Sequence, residues 1–211
     1  MGRHPQFDVD ALAEAGLRIT SRDSWTAVSV ASVAAELSVT AMALYRVVDN
    51  AEQLRQVIAD SAAPKVPDSS ELKLIDALRT WAVNTHQQLN TLPGLASYVI
   101  HEWTELPNWL EIVERFLALG ANEGLQGSDA VATINAVFAF VLARAQLRDS
   151  VRPERRLRPL LEHPERYPFV AKNLTEFRNA HSEAAFKFGL DALTRGLETA
   201  PKRRPPSSTR R

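Results

Sequence analysis

The chain has 211 residues, 45% of them apolar and 24% charged. That describes a globular protein able to bury a sizeable core. It has no cysteine, which excludes disulfides and thiolate metal sites. A formal charge of zero conceals an asymmetry: residues 1–60 carry five Arg and no Lys against eight acids, residues 61–143 four bases against nine acids, residues 144–172 eight bases against four acids, and residues 201–211 five bases and no acid. The longest apolar run, Ala136 to Ala143, falls far short of the roughly 20 residues of a membrane-spanning helix. No apolar leader opens the chain. The expected setting is the cytoplasm, away from membranes.

Apolar residues recur at spacings of three and four almost throughout, so the chain reads as all-α. A first helix covers 8–22, with Val9, Leu12, Ala13, Ala15 and Leu17 inward. Ser29 caps a short helix over 30–37, with Val30, Val33, Ala34 and Leu37 on one face. Ser38 and Val39 turn the chain, and Thr40 caps a helix over 41–48. Asn50 and Gln53 have the spacing of a capping box that opens a helix over 51–62. Pro64 and Pro67 then break the chain.

Longer helices follow: 70–91, with Leu72, Ile75, Leu78, Trp81, Ala82, Thr85 and Leu89 as its stripe; 95–105; and 108–122 beyond Pro107. A helix from Ser128 or Asp129 to about 149 is apolar nearly all round and has to be covered on several sides. An Arg- and Pro-rich connection over 150–168, with one helical turn at 155–162, leads to a last helix over 170–199. That helix carries one stripe of Leu174, Phe177, Ala184 and Phe188 and another of Phe186, Leu190, Leu193 and Leu197. One stripe can face its own core; the other needs a partner. Residues 201–211 read as a disordered basic tail.

Three short helices with a turn between the second and third, then a linking helix, carry a likeness in particular residues. The run Trp25-Thr26-Ala27-Val28-Ser29-Val30-Ala31-Ser32-Val33-Ala34-Ala35-Glu36-Leu37, the segment Val39-Thr40-Ala41-Met42-Ala43-Leu44-Tyr45-Arg46 and the start Asn50-Ala51-Glu52-Gln53-Leu54 resemble the TetR family of transcriptional regulators. The likeness covers about residues 8–62. It implies a helix-turn-helix DNA-binding domain over 1–50 and a helical effector-binding and dimerisation domain over 51–200, with 51–62 as linking helix. It also implies a homodimer formed through about 129–149 and 170–199.

The departures from the family pattern cluster on the DNA side. Ser24 stands at the usual glycine before the aromatic, and Ser38 at the usual turn glycine, where a positive φ is costly for any other residue. Ala31, Val47 and Ala51 stand where cationic or phosphate-binding residues are usual. The residues left to meet operator DNA are Ser29, Ser32, Thr40, Ala41, Met42, Tyr45 and Arg46, with Arg3, Arg18 and Arg22 from the N-terminal segment as further cations. Hydroxyls at helix N-termini suit phosphate, as does the Tyr45 O–H. Ala41 and Met42 can touch thymine methyls, and Arg46 can take guanine bidentately.

For a small-molecule effector of unknown identity the resemblance points to Trp81, Thr85, His101, Trp103, Trp109, Phe116, Asn135 and Phe138, an apolar lining with few polar anchors. His101-Glu102-x-x-Glu105 lacks the second His of a zinc helix, and no nucleophile elbow or Gly-rich phosphate loop appears. No catalytic residue, metal or cofactor is expected. The same residues also admit a module that keeps the fold without an operator, which the acidic head, Ala31, Val47 and Ala51 favour.

Overall fold

The computed structural model of the chain describes residues 7–67, 72–150 and 162–199. Every regular element in them is helical. Helix α1 (Val9–Asp23) is capped by Asp8, whose carboxylate accepts the Ala11 N–H at 2.9 Å, and it buries Leu12, Ala15 and Ile19. Val9 is 45% exposed. The inward set shifts instead to Gly16, Ile19 and Thr20, because α1 packs on both α2 and α4.

A 3₁₀ turn (Trp25–Ala27) leads to α2 (Val30–Glu36). Ser29 and Ser32 cap α2 reciprocally: Ser32 N–H donates to Ser29 Oγ at 3.1 Å, and Ser29 N–H to Ser32 Oγ at 2.9 Å. Helix α3 (Ala41–Leu44) is a single turn, shorter than the expected 41–48, and continues as turns to Val47. Leu44 and Val48 are buried, and their positions pin both ends of this stretch to the core.

Helix α4 (Ala51–Ser61) starts at Asn50, whose side chain accepts the Gln53 N–H at 2.9 Å; Gln53 returns the contact to the Asp49 N–H. The body consists of α5 (Leu74–Asn90), α6 (Leu95–Glu102) with a 3₁₀ turn (Trp103–Glu105), α7 (Pro107–Asn122), α8 (Gly127–Ser150), the short helices α9 (Pro168–Lys172) and α10 (Leu174–Arg178), and α11 (Glu183–Thr199). Pro107 opens α7 at its first turn, where the missing N–H costs nothing.

By length and composition α8 could cross a membrane. It instead packs against α5, α6, α7 and α11, burying Ala130, Ile134, Val137, Phe138, Val141, Leu142 and Ala145. The expected last helix over 170–199 is broken at Asn173 and again at Asn179–Ser182. Ser182 restarts it, accepting the Ala185 N–H at 3.3 Å. Of its stripes, Phe186 and Leu190 are buried, whereas Phe188 is 74% and Phe177 51% exposed. A Cβ on Gly189 would stand 2.8 Å from Phe140 Cζ, so a glycine here lets α11 approach α8. The turn expected at 155–162 lies outside the described residues except for its last position, and the tail 201–211 lies wholly outside them.

Among the described residues the positive-φ positions other than glycine are Ser24 (φ 94°) and Ser38 (φ 55°), the two sites where the family pattern has glycine. Ser24, with ψ 164°, lies in a region that is close to glycine-only. Ser24→Gly should therefore raise unfolding free energy by about 1–2 kcal/mol and Ser38→Gly by about 1 kcal/mol. Both are read as a rise in the urea midpoint at constant m-value.

Candidate nucleic-acid interface and its link to the helical body

The helix-turn-helix segregates its side chains sharply. Val33, Ala34, Leu44 and Val48 face inward, while Thr40, Ala41, Met42, Tyr45 and Arg46 face solvent, Met42 at 72% exposure and Tyr45 at 46%. The turn is held by Val39 N–H to Ala34 C=O at 2.9 Å and Ser38 N–H to Ala35 C=O at 3.0 Å. Thr40 Oγ1 accepts the Ala43 N–H at 3.3 Å, a cap that leaves the neighbouring N–H groups of α3 at an exposed end. Ser32 is differently placed from what its sequence position suggests. It is half-buried, and its hydroxyl donates to Ala27 C=O at 2.7 Å, so its first task is to cap and brace α2.

The cations of the head divide in the same way. Glu36 at the end of α2 accepts Arg18 Nε and Arg22 Nη1, both at 3.1 Å, and Arg22 also meets Asp23 at 2.8 Å. Hydrogen bonds from these two guanidinium groups hold the Glu36 carboxyl below the usual carboxylate range. Arg18 and Arg22 thus spend their charge tying α1 to α2. Arg55 lies over the rings of Trp25 (5.1 Å) and Tyr98 (5.7 Å). Among the described head residues, Arg46 is the arginine with neither an ion pair nor a ring contact. Arg3 lies outside the described residues.

The head is joined to the body along α4 and at one further point. Trp109 Nε1 on α7 donates to Ala59 C=O at 3.0 Å, and Asn108 N–H to Asp60 Oδ1 at 2.7 Å. Tyr98 O–H on α6 donates to Glu52 at 2.5 Å, and Gln88 on α5 to Ala62 C=O at 3.0 Å. Burial and the Glu52 carboxylate push the Tyr98 phenol far above its ordinary pKa, so it stays a donor. Away from α4, Trp25 N–H donates to Pro93 C=O at 2.8 Å. Gly94 (φ 83°) beside it would place a Cβ 3.2 Å from Trp25 Cβ, so both its backbone angle and the close approach call for glycine.

In the body, Trp81 stacks on Phe138 at 4.2 Å and 17°, and Phe116 stands edge-on to both. Trp81, Thr85, Trp109, Phe116 and Phe138 are all buried there, and Thr85 Oγ1 donates to Trp81 C=O at 2.7 Å. The Trp81 indole N–H has no hydrogen-bond partner among the described residues, leaving a donor in an apolar core. Trp103 is half-buried at the margin. His101 and Asn135, expected in the same lining, are exposed. His101 lies in the last turn of α6, facing solvent. Asn135 shares an outward face of α8 with Ala132 and Ala139. Among the described residues no three His, Asp or Glu side chains gather where they could hold a metal.

The family model described as "Tetracyclin repressor-like, C-terminal domain" matches residues 66–200. That is well over half of the chain. The chain belongs to the TetR family of transcriptional regulators. Solved structures agree on the fold. The TetR-family protein ActR of Streptomyces coelicolor, in complex with (S)-DNPA, is 21% identical with a TM-score of 0.74, covering 93% of this chain and 98% of its own. A possible TetR-family regulator from Streptomyces coelicolor A3(2) is 20% identical with a TM-score of 0.76, covering 90% and 98%. BioQ of Mycobacterium smegmatis is 20% identical with a TM-score of 0.66, covering 91% and 98%, and BioQ has also been solved with its double-stranded DNA operator. No curated protein matches the chain in sequence.

Sequence reasoning missed the contacts that seat a TetR-family head on its body. Glu52 and Trp25 entered the sequence analysis only as parts of family-like runs, and Asp60 carried no signal there. Nothing in their spacing names their partners, since Glu52 meets a residue of α6 and Asp60 one of α7. The body also buries a histidine. His86 is 4% exposed and stacks on Phe186 at 3.8 Å and 9°. Burial first, then Arg144 and Arg148, lower its pKa from the usual 6.5, while Glu183 opposes them. The unfolded chain therefore binds the His86 proton more readily than the folded one. This contribution to stability is complete above pH 6.5 and is lost as pH falls from 6.5 towards the depressed folded value. His86→Gln should flatten the difference in urea stability between about pH 7.5 and about pH 5.5 relative to the parent chain.

Proposed function

We propose that the chain is a homodimeric, ligand-responsive DNA-binding regulator, acting as a repressor, with residues 1–50 as its reading domain and 51–200 as its effector and dimerisation domain. The observation that carries this reading is the outward set Thr40, Ala41, Met42, Tyr45 and Arg46 beside an inward set that packs the motif. An exposed Met42 next to an exposed Tyr45 and an Arg46 without an ion pair among the described residues has no packing purpose. At a DNA surface the three supply methyl contact, a phosphate donor and a bidentate guanine reader. BioQ, bound to its operator, offers the fold-level parallel. ActR has been solved in complex with actinorhodin, the parallel for a small-molecule effector. In this chain the candidate place for one is the Trp81–Phe116–Phe138 core. Its packed rings would have to part, and the Trp81 indole N–H, unpartnered among the described residues, would be its polar anchor. The cytoplasm is the setting in which such a protein meets DNA.

Dimerisation is supported by the outer faces of α8 and α11. Ala132, Asn135 and Ala139 on the one and Ala184, Phe188 and Ala192 on the other are exposed, with Phe188 at 74%. Small residues around a protruding aromatic let helices of two copies approach closely. An effector that moves α4 would alter the spacing of the two heads, and operator half-sites tolerate little change in that spacing.

A gel shift against the DNA upstream of the chain's own gene tests the function. A salt-sensitive complex supports it, and no complex with that or any other genomic fragment rejects it. Arg46→Ala should cost about 1–3 kcal/mol at one base position and relax preference there, whereas Tyr45→Phe should weaken binding evenly across sequences. In sedimentation, Phe188→Glu should convert dimer to monomer without loss of helical circular dichroism.

A further inference from the structure

A cation without a counter-charge stands in the helical body. The Nε and Nη2 groups of Arg144 on α8 are both shielded from water, and neither has a hydrogen-bond partner among the described residues. No described carboxylate pairs with this side chain. Burial lowers its pKa from the ordinary arginine value, and no neighbouring group offsets that shift. A charge left buried without its counter-charge is costly. The edge left open is also the one whose two N–H bonds run parallel and take a carboxylate bidentately.

The packing places that edge. Helices α5 and α11 run antiparallel, Arg79 meeting Thr194 and His86 stacking on Phe186 at 3.8 Å. Arg148, one turn beyond Arg144, donates to Asn90 C=O at the end of α5 at 2.8 Å. Arg144 therefore lies beside the first turn of α11, which restarts after the break at Asn179–Ser182. Phe140, one turn before Arg144, stacks on Phe186 at 5.5 Å. Burial first and then the charge of Arg144 depress the His86 pKa, so the guanidinium is within electrostatic reach of that ring. Glu183, the acid that acts on His86, is paired with Lys187 at 2.7 Å. Arg144 as a whole is half-buried, so its open edge lies just beneath the surface.

We propose that this edge of Arg144 seats the carboxylate of a small aryl carboxylate, whose ring enters beside Phe140 and Phe186 as the first turn of α11 moves outward. The guanidinium fork selects a planar oxyanion over a neutral or cationic group. The surrounding rings favour an aromatic body, offset-stacked or edge-on to them. One unmatched cation calls for one negative charge. The seat lies between one and two turns along α5 and α8 from the Trp81–Phe138 stack, about 7–9 Å at the rise of a helix.

Its effect on DNA rests on the regulator reading. The end of α5 that carries His86 also holds the head. Gln88 donates to Ala62 C=O at the foot of α4, and Pro93 just beyond accepts the Trp25 N–H. A ligand that repositions this end of α5 moves both attachments, by no more than its differential affinity for the two head positions.

The test uses the full chain, with benzoate as the probe and benzamide as its neutral counterpart, in titration calorimetry, urea unfolding and gel shift. Benzoate is expected to bind at least about tenfold more tightly than benzamide. Arg144→Met, which keeps the stem and removes the charge, should lose that preference. It should also raise the urea midpoint of the unliganded chain, because the uncompensated charge is gone. Arg144→Lys keeps the charge without the fork and should lose about tenfold of benzoate affinity. Benzoate should change the DNA affinity of the parent chain by about tenfold and leave that of Arg144→Met unchanged. Equal binding of the two probes, no binding of benzoate, or parent affinity in both variants overturns the seat. A lower urea midpoint in Arg144→Met also overturns it, since the guanidinium is then a structural brace. Arg144-dependent binding with unchanged DNA affinity keeps the seat and overturns its regulatory step. Such binding in a chain that binds no DNA supports the seat and rejects the regulator reading, so the failures are distinguishable.

Discussion

Helix α4 belongs to two packing units at once, and everything the protein can do across its length passes through that fact. On one side Leu54 and Ile58 lie in the head against α1, where Gly16 lets the two helices come so close that a Cβ would overlap Ile58. On the other side Ala59 and Asp60 are hydrogen-bonded to α7, and Glu52 to α6. The result is one contiguous apolar core running from Leu12 in the head to Leu190 in the last helix. A head that shares its core with the body cannot swing freely. It moves only as the body moves.

That sharing makes polar contacts the adjustable part of the joint. The indole N–H of Trp109 and the phenol of Tyr98 reach from the body to α4, and each replaces a bond to water, so each contributes modestly while fixing direction firmly. Trp25 adds a path that avoids α4, since its backbone N–H is held by Pro93 at the α5–α6 turn. Two separated attachment points resist rotation better than one. A change in the body at α5–α6 therefore reaches the helix-turn-helix through the base of α2 as well as through α4.

The electrostatics of the head fit this division of labour. An acidic head meets a polyanion poorly, and Glu36 withdraws Arg18 and Arg22 from that task by ion pairs that brace α1 on α2. These pairs are exposed and worth little in stability on their own. Under the proposed function, their larger effect is to leave sequence preference to Arg46 and to the shape of the surface around Met42 and Tyr45. On that proposal the reader would depend on apolar fit and helix-end geometry more than on charge.

The sequence by itself determined the helical class, the element order and the helix-turn-helix, because apolar spacing and caps are local: Ser29, Thr40 and Asn50 each bind an N–H three residues ahead. Set against the family pattern it also marked Ser24 and Ser38 as standing where glycine is usual, and Ser38 as a costly turn position. The two stripes of the last helix were legible for the same reason. What only the tertiary structure decided is which side chains are already spoken for. Arg18 and Arg22 looked available until Glu36 was beside them, and His101 and Asn135 looked like pocket lining until their helices turned them outward. The last helix broke at Asn179–Ser182 where its apolar pattern ran on. Spacing encodes the face of a helix, but only packing decides what that face meets.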